Sequence, residues 1–196
     1  MTVAIHADAV DEIFRNARSF ERFLDIPIPP KLLEEIWDIM KMGPTSANQM
    51  PARIVWCASD KAKALLSKAC SRENADRIAS APVTAVIGMD LEFHEHLPEL
   101  FPAADARSWF ADPKSREISA FRNSSLQGAY LMIAARAVGL DVGPMSGFSA
   151  PEVERAFFSS APSIKANFIC SIGYGDKSSL SIRPPRPPFR KFNSIV

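Results

Sequence analysis

The stretch from about Ser115 to Val138 constrains this chain more than any other. Ile118, Phe121, Ser125, Tyr130, Ile133 and Ala137 recur near helical spacing, which predicts one long helix. Its second half is apolar nearly all round, so it needs burial in a large core or an interface. The most apolar part, Ala129 to Val138, is too short to span a bilayer, and Arg136 interrupts it. The rest of the chain must cover this helix. Its 196 residues, 47% hydrophobic and 23% charged, predict one globular domain over 1–196. A net charge of +1 offers no global attraction for nucleic acid.

Other elements read clearly. Asp8 to Arg15 predicts a helix. Pro30 suits a first helical position, Leu32, Leu33, Ile36, Trp37, Ile39 and Met40 form an apolar face, and Gly43-Pro44 ends the helix. Asp60 is placed to cap a helix to about Ala69, and Asn74 to Ser80 predicts a short one. Ser149-Ala150-Pro151-Glu152 has the pattern of a capping box. Four segments have strand character: Ala52–Ala58, Pro82–Met89, Leu140–Met145 and Asn167–Ile172. The Pro82–Met89 run suits burial on both faces. Gly139 is placed to end the long helix.

From Lys177 onward the chain carries five basic residues, no acid and several prolines. That predicts an extended tail without helix, either a disordered arm or a segment that wraps a partner or holds an anion. Cys57, Cys70 and Cys170 are odd in number and far apart, which fits a reducing compartment. Met1 to Asp8 lacks a basic region followed by an apolar core, so no secretory leader is expected. A soluble, cytoplasmic protein without a membrane partner is the expectation.

Familiar catalytic motifs are missing. No G-x-G-x-x-G or G-x-x-x-x-G-K-[ST] loop occurs. Ser146 is one position late for a nucleophile elbow. His94-Glu95-His96 lacks a third spaced ligand and reads as a solvated face.

Five segments taken together do point somewhere. They are Arg18-Ser19; Gly43-Pro44-Thr45-Ser46-Ala47-Asn48 with Pro51; Asn74 with Arg77; Gly139 through Phe148; and the Arg183/Arg186 tail. In order and spacing the chain resembles the nitroreductase superfamily of FMN flavoproteins. The loop GPTSANQMPARIV is similar to that family's Pro-Ser-x-x-Asn-x-x-Pro signature. FPAADARSWF and FRNSSLQGAYL resemble the branch that contains malonic semialdehyde reductase.

The resemblance implies an α+β fold with a central, mostly antiparallel sheet flanked by helices and an extended C-terminal tail. It implies a homodimer with FMN sites at the interface, NADH or NADPH as co-substrate and a small-molecule electron acceptor. Arg18, Ser19, Arg183 and Arg186 would hold the phosphate, because a dianion suits forked guanidinium donors. Asn74 and Arg77 would face the polar edge of the flavin. Pro44, Thr45, Ser46 and Asn48 would approach from the other subunit, and Ser146 and Gly147 would offer backbone N–H groups toward N5. Ala17 and Glu21 stand where the family usually has basic residues. Arg107 and Arg122 are candidates to grip the carboxylate of an aldehyde acid such as malonic semialdehyde; a nitroaromatic or quinone is the alternative acceptor. No protein general acid or base is expected. Phe93 to Phe110 suits a lid or a core cluster. A rival of another class is a binding module that uses the basic tail on an anionic partner.

Overall fold

The computed structural model describes residues 3–196. Met1 and Thr2, part of the stretch expected to hold no leader, lie outside them. The chain begins with α1 (Ala7–Val10), which runs into a π-helical turn at Asp11–Arg15. Then come α2 (Pro30–Met40), β1 (Ala52–Cys57), α3 (Asp60–Ser67), α4 (Arg72–Ser80) and β2 (Val83–Asp90). After the short α5 (Leu97–Leu100) come α6 (Pro113–Ala137), β3 (Asp141–Met145), α7 (Ala150–Phe157), β4 (Ile164–Gly173) and α8 (Phe189–Phe192).

The four strands form one antiparallel sheet in the order β1-β2-β4-β3. Successive side chains of a strand point to opposite faces. Ala85 and Ile87 of β2 pack with Ile36, Met40, Leu131 and Ala134 beneath α2 and α6. Val86 packs with Leu66, Ile78, Val153 and Ile169 beneath α3, α4 and α7. Two-sided burial explains why β2 reads as an unbroken apolar run. The fold is α+β, with helices on both faces of an antiparallel sheet.

Several expectations need correction. Ser59 caps α3, its side chain accepting from Ala62 N, and Asp60 is the first helical residue. The Ser149 side chain makes no capping bond; its carbonyl accepts from Glu152 N and Val153 N. The tail opens with a 3-10 turn at Lys177–Ser179, ahead of its prolines, runs extended through Pro188, and ends in a helical turn where prolines no longer interrupt. His94 is buried, so His94-Glu95-His96 is not wholly a solvated face. The largest difference concerns α6. Ile118 and Phe121 are exposed, while Ser119, Asn123, Ser124 and Gln127 are buried. The inward face of its first half is polar because it serves a hydrogen-bond network. Gly139 does end α6, with φ +83°.

Candidate active site

The N-terminal segment and the tail fasten to one another reciprocally. Arg18 Nη2 donates to Ser181 O at 2.5 Å, and Arg183 Nη2 donates to Ala17 O at 2.6 Å. The segment is also stitched to the sheet: Phe20 N donates to Val142 O, and Leu24 N donates to Tyr174 O. Gly143 permits that approach, since a Cβ there would lie 2.3 Å from Phe20 O.

A cavity of about 500 Å³ opens between these segments, lined by Arg18, Ser19, Arg136, Arg183 and Arg186. Glu21 is the only acid in its wall, and it accepts a 2.5 Å hydrogen bond from Arg77 Nη2. Four guanidiniums around one space repel one another, and an anion relieves that repulsion. Bidentate donors of this kind suit a phosphate. Arg186 Nη1 donates to Pro184 O. Arg136 Nη1 donates to Ile13 O, while its Nε is buried without a partner among the described residues. Burial is the main influence lowering the Arg136 pKa from its usual value; the charge of Arg183 lowers it further, against Cys170 and Asp141.

Glu21 and Arg77 also line a second cavity of about 630 Å³. Glu21, which departs from the expected basic pattern, thus joins the two spaces and partners Arg77. Asn74 is buried on α4 and its Nδ2 donates to Gly147 O at 3.0 Å. Ser71 N donates to the same carbonyl. A Cβ on Gly147 would sit 2.8 Å from Asn74 Nδ2, so a larger residue there would push the Asn74 side chain aside. One Asn74 N–H is therefore used within the chain, leaving its other N–H and its carbonyl for a ligand. Ser146 and Gly147 are exposed beside it.

The loop Pro44–Asn48 lies elsewhere, lining neither of those cavities. Ala47, Asn48 and Met50 have φ between +39° and +50°, a conformation that costs non-glycine residues about 1–3 kcal/mol each. Hydrogen bonds to other segments and within the loop hold it there. Ser46 N donates to Asn123 Oδ1, Tyr130 OH to Pro44 O, and Asn48 Nδ2 to Leu100 O. Thr45 Oγ1 accepts from Met50 N. Buried Gln49 bonds Ser119, and Gln127 Oε1 accepts from Ala52 N.

Arg107 and Arg122 are apart from the arginine cavity. Arg107 pairs with Glu95 at 2.7 Å. Arg122 is exposed on α6 and makes no salt bridge among the described residues. Phe93 is core, packed edge-on to Phe110 with ring centres 4.9 Å apart, while Trp109 of the same aromatic segment is exposed. Sequence reasoning missed Arg136, the Gln49–Ser119–Asn123 network and the Gln127–Ala52 bond beside it. The signal for Arg136 was a charge inside an apolar run.

The Nitroreductase family model matches residues 14–174. A Stenotrophomonas maltophilia protein named "Putative NADH dehydrogenase/NAD(P)H nitroreductase" is 53% identical over 190 residues, 96% of each chain. A Burkholderia lata protein of the same descriptive name is 52% identical over 92% of this chain and 93% of its own. Among solved structures, a Bacillus subtilis protein described as a "putative nitroreductase" superposes with TM-score 0.88 at 21% identity, over 97% of this chain and 100% of its own. One from Exiguobacterium sibiricum, solved in complex with FMN, gives 0.87 at 18% identity over 100% of both chains. No helix among the described residues is long and apolar enough to cross a membrane.

Proposed function

The chain belongs to the nitroreductase family, and on that premise we propose that it is an FMN-dependent NAD(P)H oxidoreductase, one domain over 1–196, acting as a homodimer. The observation that carries the reading is the cavity where Arg18, Ser19, Arg183 and Arg186 converge. These donors fit a phosphate dianion.

Bound FMN would supply the hydride chemistry, taken from NAD(P)H and passed to an acceptor. The residues of this chain bind and orient. Arg18, Arg183 and Arg186 hold the phosphate, with the Ser19 hydroxyl as a further donor. Asn74 is fixed by Gly147 O and presents its remaining amide groups to the polar edge of the ring. Arg77 places a cation there, moderated by Glu21. Ser146 and Gly147 offer main-chain N–H groups. Pro44, Thr45, Ser46 and Asn48, held rigid in a strained loop, serve the site of the second copy. No step requires a protein acid or base.

The acceptor follows from charge. A short aldehyde acid such as malonic semialdehyde needs a cation beyond those on the phosphate, and Arg122 is better placed than Arg107, whose charge Glu95 already neutralises. The neutral alternative, a nitroaromatic or quinone, is favoured by the names of the relatives.

Purification tests the cofactor: a yellow protein carrying near-stoichiometric FMN is expected, and a colourless one that refuses added FMN overturns the reading and favours a binding module. Replacing Arg122 with Gln tests the acceptor. We expect kcat/KM for malonic semialdehyde to fall about 10–100-fold while turnover of a neutral quinone holds. Equal losses on both substrates would assign Arg122 to the fold, and no loss on either would favour the neutral acceptor.

A further inference from the structure

Arg136 belongs to none of the segments that carry the family resemblance. It stands in the last turn of α6, inside the apolar run that ends that helix. A charge placed there loses solvation, and a structure keeps it only where something compensates. Part of the compensation is visible: Nη1 donates to Ile13 O at 3.0 Å, the charge of Asp141 favours the cation, and the cation sits at the negative end of the helix dipole. None of these satisfies Nε, which is buried and unpartnered among the described residues.

The surroundings of Arg136 sharpen the question. It lines the 500 Å³ cavity with Arg18, Arg183 and Arg186, where the only acid, Glu21, is engaged by Arg77. With Arg18 it also walls a neighbouring space of about 400 Å³, which holds Glu12, Asp141 and Lys177. The bond to Ile13 O and the charge of Asp141 hold Arg136 in place, yet they leave four guanidiniums around one cavity. A dianion gives the fourth cation its purpose, because each guanidinium that reaches a phosphate offers forked donors.

We propose that Arg136 is a fourth phosphate-binding arginine of the proposed flavin site, its charge set against the terminal phosphate of FMN. This rests on the FMN reading above, and the test separates the two. The signature of a phosphate ligand is selectivity between FMN and riboflavin, which share the ring and ribityl chain and differ only in the phosphate. Flavin is removed from the intact protein, and FMN and riboflavin are titrated back separately while flavin fluorescence is followed.

Wild-type protein is expected to prefer FMN strongly. In Arg136→Gln the FMN dissociation constant should rise about ten- to hundredfold, with riboflavin affinity unchanged. The salt dependence of FMN binding should also weaken. Equal losses for FMN and riboflavin would make Arg136 a fold residue and overturn the proposal, as would unchanged FMN affinity. If Arg136→Gln does not fold, Arg136→Lys decides. Lysine keeps the charge but not the fork, so a partial loss of FMN preference upholds the proposal and an undiminished preference overturns it. Wild-type protein that binds neither flavin would overturn the FMN reading itself, a result distinct from any of these.

Discussion

The three thiols sit where a thiolate is disfavoured. Burial pushes Cys57 and Cys70 up to about 11, and fully buried Cys170 up to about 12. At pH 7 a thiol with a pKa of about 11 is thiolate in roughly one molecule in ten thousand. A thiol reagent at pH 7 should therefore label the native protein very slowly and the urea-unfolded protein at all three positions; fast native labelling would contradict this burial. The linkage has a definite sign. The folded values lie above the reference of 9.0, so the stability from neutral thiols is complete below pH 9 and is lost as pH rises through about 11. Urea midpoints should fall on the alkaline side. Gln127 presents a different residue-scale case. Its Oε1 receives Ala52 N at 2.8 Å where both residues are buried. Gln127→Leu strands the first N–H of β1, and urea denaturation should register a loss of about 1–3 kcal/mol. Unchanged stability would mean that this N–H finds another acceptor.

Among the elements, legibility follows the kind of interaction. The helix α2 is readable because Pro30 starts it and Gly43-Pro44 stops it, both local effects. The strand β2 is readable because two-sided burial leaves an unbroken apolar run. The inward face of α6 was not, since Ser119, Asn123 and Gln127 are buried for bonds to a loop about seventy residues away in sequence, which periodicity does not register. The site divides similarly. Residue types and spacing pointed to Arg18, Ser19, Arg183 and Arg186 through the family resemblance, and the structure gathers them in one cavity. Nothing in residue type announced that Arg18 and Arg183 use main-chain carbonyls of each other's segments, or that Ala47 and Met50 take positive φ. The tail thus has two roles to separate. Truncation before Ile182 removes Arg183 and Arg186 but leaves Ser181, the acceptor for Arg18. FMN affinity should fall about ten- to hundredfold while the rest of the fold persists. Undiminished affinity in a folded truncated protein would confine the tail to strapping the N-terminal segment.

At the scale of the molecule, the question is what covers the apolar surface this chain leaves in water. Trp37, Ile39 and Met42 are exposed at and just beyond α2, and Ile118, Phe121 and Leu126 are exposed on α6. On α6, Ile118 and Phe121 lie on the side away from the buried row of Ser119, Asn123 and Gln127. A soluble monomer rarely leaves so many large apolar groups uncovered on packed helices. The loop Pro44–Asn48 points the same way: it is rigidly held, yet lines neither the arginine cavity nor the Arg77 cavity of its own chain. A second copy would account for both, by burying the α6 face and receiving the loop at its site. Sedimentation at low micromolar concentration should therefore show a dimer. Phe121→Glu places a charge on the face that the dimer would bury, and an unpaired charge there is strongly unfavourable. The variant should sediment as a monomer and lose FMN in the same concentration range, because affinity and assembly would be linked by mass action. A wild-type chain that remains folded, monomeric and loaded with FMN would overturn the shared site. A Phe121→Glu dimer with normal FMN retention would move the interface away from this face of α6.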